Sequence, residues 1–258
     1  MIHFVGAGPG AVDLITLRGK QLIEAADVII YAGSLVNPAL LNWKKEGCAL
    51  HDSARMTLEQ VVAVMRRAAA EGKLVVRLHT GDPSIYGAIR EQMDELEKLE
   101  IPYEVCPGVS SFCGAAAALK MEYTLPGVSQ SVILTRMAGR TPVPERESVR
   151  AFAAHGTTMI LFLSAGLLPA LRAELIEGGY PPDTPAAIVC RASWPDEQTC
   201  LCTVDTLPET AVQHNITKTA LILVGEAVRQ SGYQRSKLYD PTFETGYRPA
   251  SAAPEGET

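Results

Sequence analysis

The loop Gly6-Ala7-Gly8-Pro9-Gly10-Ala11 follows a short apolar run, Ile2 to Val5. It formally matches G-x-G-x-x-[GA], the spacing that lets a backbone close on a pyrophosphate. That chemistry needs two further parts. A helix must open from the glycines so that its N-terminus faces the phosphates, and an acid must end the second strand to take the ribose hydroxyls. Neither is present. The first good helix cap is Thr16, with a helix expected from Leu17 to about Ala26. The second strand, Val28 to Tyr31, runs into Ala32-Gly33-Ser34 with no carboxylate. The glycines still let a backbone approach something closely, and a bound group without phosphates suits the loop better. A NAD-dependent oxidoreductase is the alternative that rests on the fingerprint alone.

A second stretch able to handle a ligand is Leu74 to Gly87, LVVRLHTGDPSIYG. Its first six residues suit a buried strand. The chain then turns at Gly81-Asp82-Pro83. Asp82 is a good N-cap and Pro83 sits where a first helical residue belongs, which predicts a helix to about Lys98 with Ile85, Ile89, Met93 and Leu96 on one face. Turns at the carboxyl ends of strands are where open α/β sheets bind ligands. Elsewhere the sequence offers less. No His/carboxylate constellation stands out, so no catalytic base is assigned. The six cysteines and five histidines lack metal-ligand spacing, and no metal is expected. Cys200 and Cys202 lie two apart on an expected strand and read as packing groups.

Composition narrows the class of protein. With 47% apolar and 20% charged residues, the 258-residue chain is globular and has room for one large domain or two smaller ones. The formal charge of −6 gives no overall basic field for nucleic acid, so an anionic substrate would need local arginines. The N-terminus opens on a strand and lacks the basic region of a signal peptide. Met159 to Leu171 is too short to span a membrane and contains Pro169. A reduced, cytoplasmic protein is the expectation.

The elements that would position these loops alternate. After the second strand, a short helical stretch follows Pro38. A capping box at Thr57-Leu58-Glu59-Gln60 opens a helix that carries Val61, Met65 and Ala68 and stops at Gly72. Tyr103 to Cys106 is a strand closed by Pro107-Gly108, and Cys113 to Leu119 is a helix of small residues. This alternation argues a parallel α/β sheet. Residues 1–120 form the expected first domain and 121–130 a linker. A second α/β domain then spans 131–230. In it, strands are expected at Ser131–Arg136, Thr158–Leu163, Ala187–Cys190, Thr199–Val204 and Ala220–Val224. Its helices are expected at Glu145–Ala154, Leu168–Ile176 and near Glu209. A Trp194-Pro195-Asp196-Glu197 turn joins the third and fourth strands. Residues 231–258 form a polar tail expected to fray.

Four motifs in this order carry a resemblance: GAGPG after the first strand, TGDPSIYG after the third, PGVSS after the fourth, and LTRMAGRTP at a strand end. The chain resembles the tetrapyrrole (corrin and sirohaem) methyltransferases over about residues 1–228. Within them, YAGSLV at Tyr31 to Val36 and GDPSIYGAIREQ at Gly81 to Gln92 are most similar to the branch that methylates C11 of precorrin-4 or cobalt-precorrin-4.

The resemblance implies a fold of two α/β domains with a cofactor- and substrate-binding cleft between them. It also implies a homodimer and S-adenosyl-L-methionine as cofactor. Residue by residue, it implies cofactor contacts at Pro9, Thr80, Gly81, Asp82, Ile85, Tyr86, Ser110, Ser111, Ala165, Ala192 and Ala220, with alanine at 165 where the usual member has methionine. S-adenosylmethionine carries no phosphate, so the glycine loop and the missing acid agree with it. The accepting ring carbon of a reduced tetrapyrrole is itself nucleophilic, so no strong base is obligatory. Tyr31 is at most a hydrogen-bond partner near the substrate. The macrocycle's carboxylates call for arginines. Arg136, Arg140 and Arg191 at strand ends are the candidates, with Arg55 and Arg77 weaker. A methyltransferase for another ring position and a non-catalytic ligand-binding module stand as further alternatives.

Overall fold

The structure is a computed structural model and describes residues 1–251. It divides into two compact units. The first holds residues 1–119 together with Val189–Thr199, and the second holds Lys120–Ile188 and the chain from Cys200 on.

The first unit is built in the order β1 (Ile2–Gly6), α1 (Leu17–Ala25), β2 (Val28–Tyr31), β3 (Ala49–Asp52), α2 (Leu58–Ala70), β4 (Val75–His79), α3 (Arg90–Lys98), β5 (Tyr103–Cys106) and α4 (Ser111–Leu119). Its sheet has the order β3-β2-β4-β1-β5, and every pair is parallel. β1 and β4 are buried along their whole length, as strands covered on both faces are, His3, Arg77 and His79 included. One face packs Val5, Ile29, Val76 and Leu78 with Ile23 of α1. The other packs Ile2, Phe4, Ile30 and Val75 with Met65 of α2 and Leu96 of α3. The sequence caps work as read. Thr16 accepts from the Gly19 amide at 3.0 Å, and the Thr57/Gln60 box forms in both directions. β3 has no counterpart in the sequence reading. It is a four-residue edge strand, half-exposed, with no alternation to announce it.

The expected helix from Pro83 does not form, and α3 starts only at Arg90. Asp82 accepts the Ser84 amide at 2.8 Å, as a cap would. However, Tyr86 (φ 55°) and Ala88 (φ 49°) are left-handed, which stops a helix from propagating. Gly87 between them has no room for a Cβ against the Pro83 carbonyl. Consequently Ile89, Met93 and Leu96 reach the core, whereas Ile85 stays in the turn.

The second sheet and its helices run β6 (Val132–Arg136), α5 (Val149–Ala153), β7 (Thr158–Phe162), α6 (Leu168–Glu177), β8 (Pro185–Cys190), β9 (Gln198–Thr203), α7 (Leu207–Gln213) and β10 (Ala220–Val224). The strand order is β6-β7-β10-β8-β9. β6 and β7 are parallel, while β10 lies antiparallel to β7, so the sheet is mixed. The helix expected from Glu145 splits: a 3-10 turn covers Glu145–Glu147, and Ser148 caps α5 by accepting from the Ala151 amide at 3.2 Å. After Gln230 the chain is mostly irregular, with a 3-10 turn at Lys237–Tyr239. The Arg248 guanidinium bonds to the Leu238 and Asp240 carbonyls. The end of the tail expected to fray, residues 252–258, lies outside the described residues. No helix among the described residues is long and apolar enough to cross a membrane.

Candidate functional site

The carboxyl ends of β4, β1 and β5 are neighbours in the sheet, and their loops close on one another through backbone. The Ala7 amide donates to the His79 carbonyl at 2.7 Å. Gly8 and Gly81 exchange two bonds, Gly81 N to Gly8 O at 2.8 Å and Gly8 N to Gly81 O at 3.3 Å. A Cβ on Gly6 would lie 2.6 Å from the Cα of Gly108 and from the Gly81 carbonyl, so these chains meet only because the side chain is missing. Gly81 itself has φ +60° and faces the backbone of Ser110 and Ser111.

Asp82 then ties the second loop to the third. One carboxylate oxygen accepts the Gly108 amide at 2.8 Å, and the other accepts the amide and hydroxyl of Ser84. Burial pushes the Asp82 carboxyl up. The donors of Ser84 and Gly108 together outweigh burial and hold it below its ordinary value. Of the sequence-derived residues, Gly81, Asp82, Ser110 and Ser111 are thus brought together. Ser110 is buried, Ser111 half-buried and Thr80 exposed. Ile85 is half-buried, and Tyr86 is 46% exposed on the left-handed turn.

The glycine loop of β1 is filled by protein. The Val189–Thr199 segment lays Trp194 against it. The indole Nε1 donates to the Pro9 carbonyl at 3.1 Å, and the Ala11 amide donates to Ser193 Oγ at 3.0 Å. The space a Cβ would take on Gly10 is occupied by the Trp194 ring. Asn37 Nδ2 holds the Gly10 carbonyl at 2.8 Å. On the other side, Gly114 of α4 allows contact: a Cβ there would lie 2.9 Å from Pro9 Cβ and 3.4 Å from Ala192 Cβ. Pro9 and Ala192, far apart in sequence, therefore both lie against Gly114. The amides of Ala7, Gly8 and Ala11 are all engaged, which leaves those donors unavailable to a pyrophosphate. Trp194, Asn37, Gly108 and Gly114 were missed in the sequence. The signal for Trp194 was a large aromatic in a polar turn.

The arginines are mostly committed elsewhere. Arg191 pairs with Asp196 at 2.6 Å and lies over the Trp194 ring at 4.2 Å, so it braces the segment. Arg136 donates to the carbonyls of Met137, Thr141 and Pro142 and closes its own loop. Arg140 on that loop is exposed and has no side-chain partner among the described residues. Arg55 is exposed, and Arg77 is buried in the core. Tyr31 is half-buried against the core, and its carbonyl accepts from Ser53 Oγ at 2.9 Å.

In the second unit Ala165 and Ala220 are buried. Ala165 borders a cavity of about 470 Å³ with Leu168, Pro208, Ala211 and Thr217. Near the Gly81 turn, His79 is buried and its titration is pushed down to about 3 by burial and by Arg77, so it stays neutral. Among the described residues no group of His, Cys, Asp and Glu is gathered to hold a metal.

Comparison with known proteins gives a consistent result. The family model of Tetrapyrrole (Corrin/Porphyrin) Methylases matches residues 1–208. The cobalt-precorrin-4 C(11)-methyltransferase of Methanocaldococcus jannaschii is 54% identical over 247 residues, 96% of this chain and 95% of that protein. The precorrin-4 C(11)-methyltransferase of Mycobacterium tuberculosis is 45% identical over 239 residues, 92% of this chain and 95% of that protein. Among solved structures, a cobalt precorrin-4 methyltransferase of cobalamin biosynthesis superposes with a TM-score of 0.86 at 45% identity, covering 88% of this chain and 95% of that one. A uroporphyrin-III C-methyl transferase from Thermus thermophilus, complexed with S-adenyl homocysteine, has a TM-score of 0.76 at 27% identity, covering 89% and 99%.

The Asp82 strut has a pH signature. An unfolded aspartate titrates near about 3.9. Because the folded value is depressed, the ionised strut adds stability that is fully present above the unfolded value and disappears as pH falls through the folded one. Asp82→Asn keeps the shape, removes the charge and replaces one of the two accepting oxygens by a donor. Calorimetric melting of both proteins is expected to show a deficit for Asp82→Asn that is constant above about pH 5 and shrinks in stronger acid to the pH-independent remainder left by the lost acceptor. A deficit that persists undiminished well below about pH 3 would detach the effect from the carboxylate's charge.

Proposed function

We propose that this chain, which belongs to the tetrapyrrole (corrin/porphyrin) methylase family, transfers one methyl group from S-adenosylmethionine to C11 of precorrin-4 or cobalt-precorrin-4 in corrin synthesis. One observation carries this reading. Relatives that are 54%, 46% and 45% identical to it over nearly their whole length share that C11 name.

The residues of the first unit suit the cofactor. The Gly81 turn, the Asp82 carboxylate and the Ser110/Ser111 pair offer polar groups for an amino acid and a ribose, and Pro9, Ile85 and Ala192 offer apolar contact. The glycine loop, packed by Trp194, suits a ligand without phosphates. S-adenosylmethionine supplies a methyl group already activated on a sulfonium. What remains for the protein is to hold donor and carbon in line at near-attack distance. The loop architecture is suited to that task because it is fixed by backbone bonds and by the engaged side chains of Asp82, Asn37 and Trp194. No general base is assigned, in keeping with a nucleophilic ring carbon. The neutral, buried His79 offers none. A homodimer working in the cytoplasm belongs to the same reading.

The oxidoreductase alternative is disfavoured by the engaged amides of Ala7, Gly8 and Ala11. Calorimetry separates it: S-adenosylhomocysteine binding with no NAD binding supports the methyltransferase, and the reverse overturns it. A ligand-binding module without turnover would bind and transfer nothing.

The reaction is tested with methyl-labelled cofactor and each of the two macrocycles, with and without cobalt. Carbon NMR is expected to place the label on C11, and label on another carbon would overturn the ring position while leaving the chemistry. Of the three arginines at strand ends, Arg140 is the one without a side-chain partner among the described residues. Arg140→Ala is expected to weaken macrocycle binding by roughly 1.5–3 kcal/mol, the loss of a charged hydrogen bond, without altering affinity for S-adenosylhomocysteine. Unchanged macrocycle affinity would remove Arg140 from the site.

A further inference from the structure

Arg77, at the middle of β4, is 7% exposed. It is the only Lys, Arg, Asp or Glu buried among the described residues, and no carboxylate pairs with it. Its partners are neutral. Nε donates to Gln92 Oε1 at 3.2 Å, and a terminal nitrogen donates to the carbonyls of Ile30 and Leu78 at 3.4 and 3.5 Å. Burial without a counter-charge lowers its titration to about 10. A bare cation in a core works against stability, and apolar replacements of buried ions are often neutral or better. A residue kept at that disadvantage invites a search for what it holds.

Gln92 is itself 5% exposed, and its Nε2 donates to the Ala88 carbonyl at 2.9 Å. The side-chain amide has one acceptor and one donor end. The guanidinium can only donate, so it dictates that Oε1 faces Arg77 and Nε2 faces Ala88. Ala88 and Tyr86 are the two left-handed residues that keep the Pro83–Ala88 segment out of a helix. Such conformations persist only where surrounding structure over-determines them. The chain of bonds therefore runs from a buried charge, through an amide whose orientation it sets, to the strained turn that carries Ile85 and Tyr86.

We propose that Arg77 is a positioning residue that acts through Gln92 to hold the Pro83–Ala88 turn in the shape that binds the cofactor. The cofactor part of this rests on the function proposed above. The turn itself does not, and the two are read separately.

The test uses the full chain with Arg77→Met and Gln92→Glu. Arg77→Met removes the donor that orients the amide. Gln92→Glu gives Arg77 a counter-charge but leaves the Ala88 carbonyl without its donor. Amide hydrogen exchange of the ligand-free proteins is read over residues 84–89, and S-adenosylhomocysteine affinity by calorimetry. Exchange over that segment is expected to accelerate about tenfold or more in both variants, while β1, β4 and β5 stay protected. Affinity is expected to fall about tenfold or more, the equivalent of one charge-assisted hydrogen bond.

A loss of affinity that simply tracks lowered global stability would mark a structural role and overturn the proposal. Unchanged exchange over the segment in a folded variant would also overturn it. If Arg77→Met does not fold, Arg77→Lys decides: it keeps the buried charge but lacks the planar Nε that meets Gln92, and unchanged exchange over 84–89 in that variant overturns the proposal. If the wild type binds no S-adenosylhomocysteine, the functional reading fails, and the exchange data still decide whether Arg77 holds the turn.

Discussion

The site depends on three backbones that approach more closely than any side chain would permit. Gly6, Gly81 and Gly108 end or follow β1, β4 and β5, three adjacent parallel strands. Parallel strands bring their carboxyl ends to one edge, where loops meet and a ligand can be surrounded. Here the meeting is unusually tight. It is sealed by the pair of hydrogen bonds between Gly8 and Gly81 and by the Asp82 carboxylate on Gly108. A cofactor held against such loops faces fixed dipoles, and positioning is most of what methyl transfer from a sulfonium asks of a protein.

The glycine fingerprint shows how one local pattern can serve two purposes. In a dinucleotide fold the glycines make room for phosphate, with a helix N-terminus behind it. In this chain the helix starts later, at Leu17, and the room at Gly10 goes to an indole ring. Pro9 and Ala192 are thereby packed beside Gly114, and the loop amides are satisfied internally. The same three-way contact explains the bracing around it. Arg191 stacks on Trp194 and pairs with Asp196, so a side chain well suited to substrate carboxylates is spent on geometry.

Charge is used locally throughout. The chain carries −6 overall, and its arginines divide between structural and available roles. Arg136 organises a loop through three carbonyls, Arg77 organises a turn through an amide, and Arg140 is left facing solvent. For an acidic macrocycle this means recognition by few contacts at short range, since long-range steering would work against a like-charged protein.

Much of this was legible in the sequence, because strand and helix signals are local. The strands β1, β2, β4, β5 and β10, the Thr16 cap and the Thr57 box follow from apolar runs and capping chemistry within a few residues of each other. The motif order was legible too, and with it the family. What the sequence could not decide depends on partners far along the chain. Asp82 and Pro83 spell a helix start, yet the turn after them is left-handed because Gln92, Arg77 and the packing at Gly87 hold it so. Arg191 and Arg136 sit at strand ends, as substrate anchors should, and only the fold shows that Asp196, Trp194 and nearby carbonyls have taken them. Trp194 reads as a turn residue until it is seen some 185 positions away against Pro9. Sequence alone determined which strands and loops would exist. The tertiary structure decided which polar groups remain free to meet a ligand, because hydrogen-bond capacity is a property of the whole neighbourhood and not of the residue.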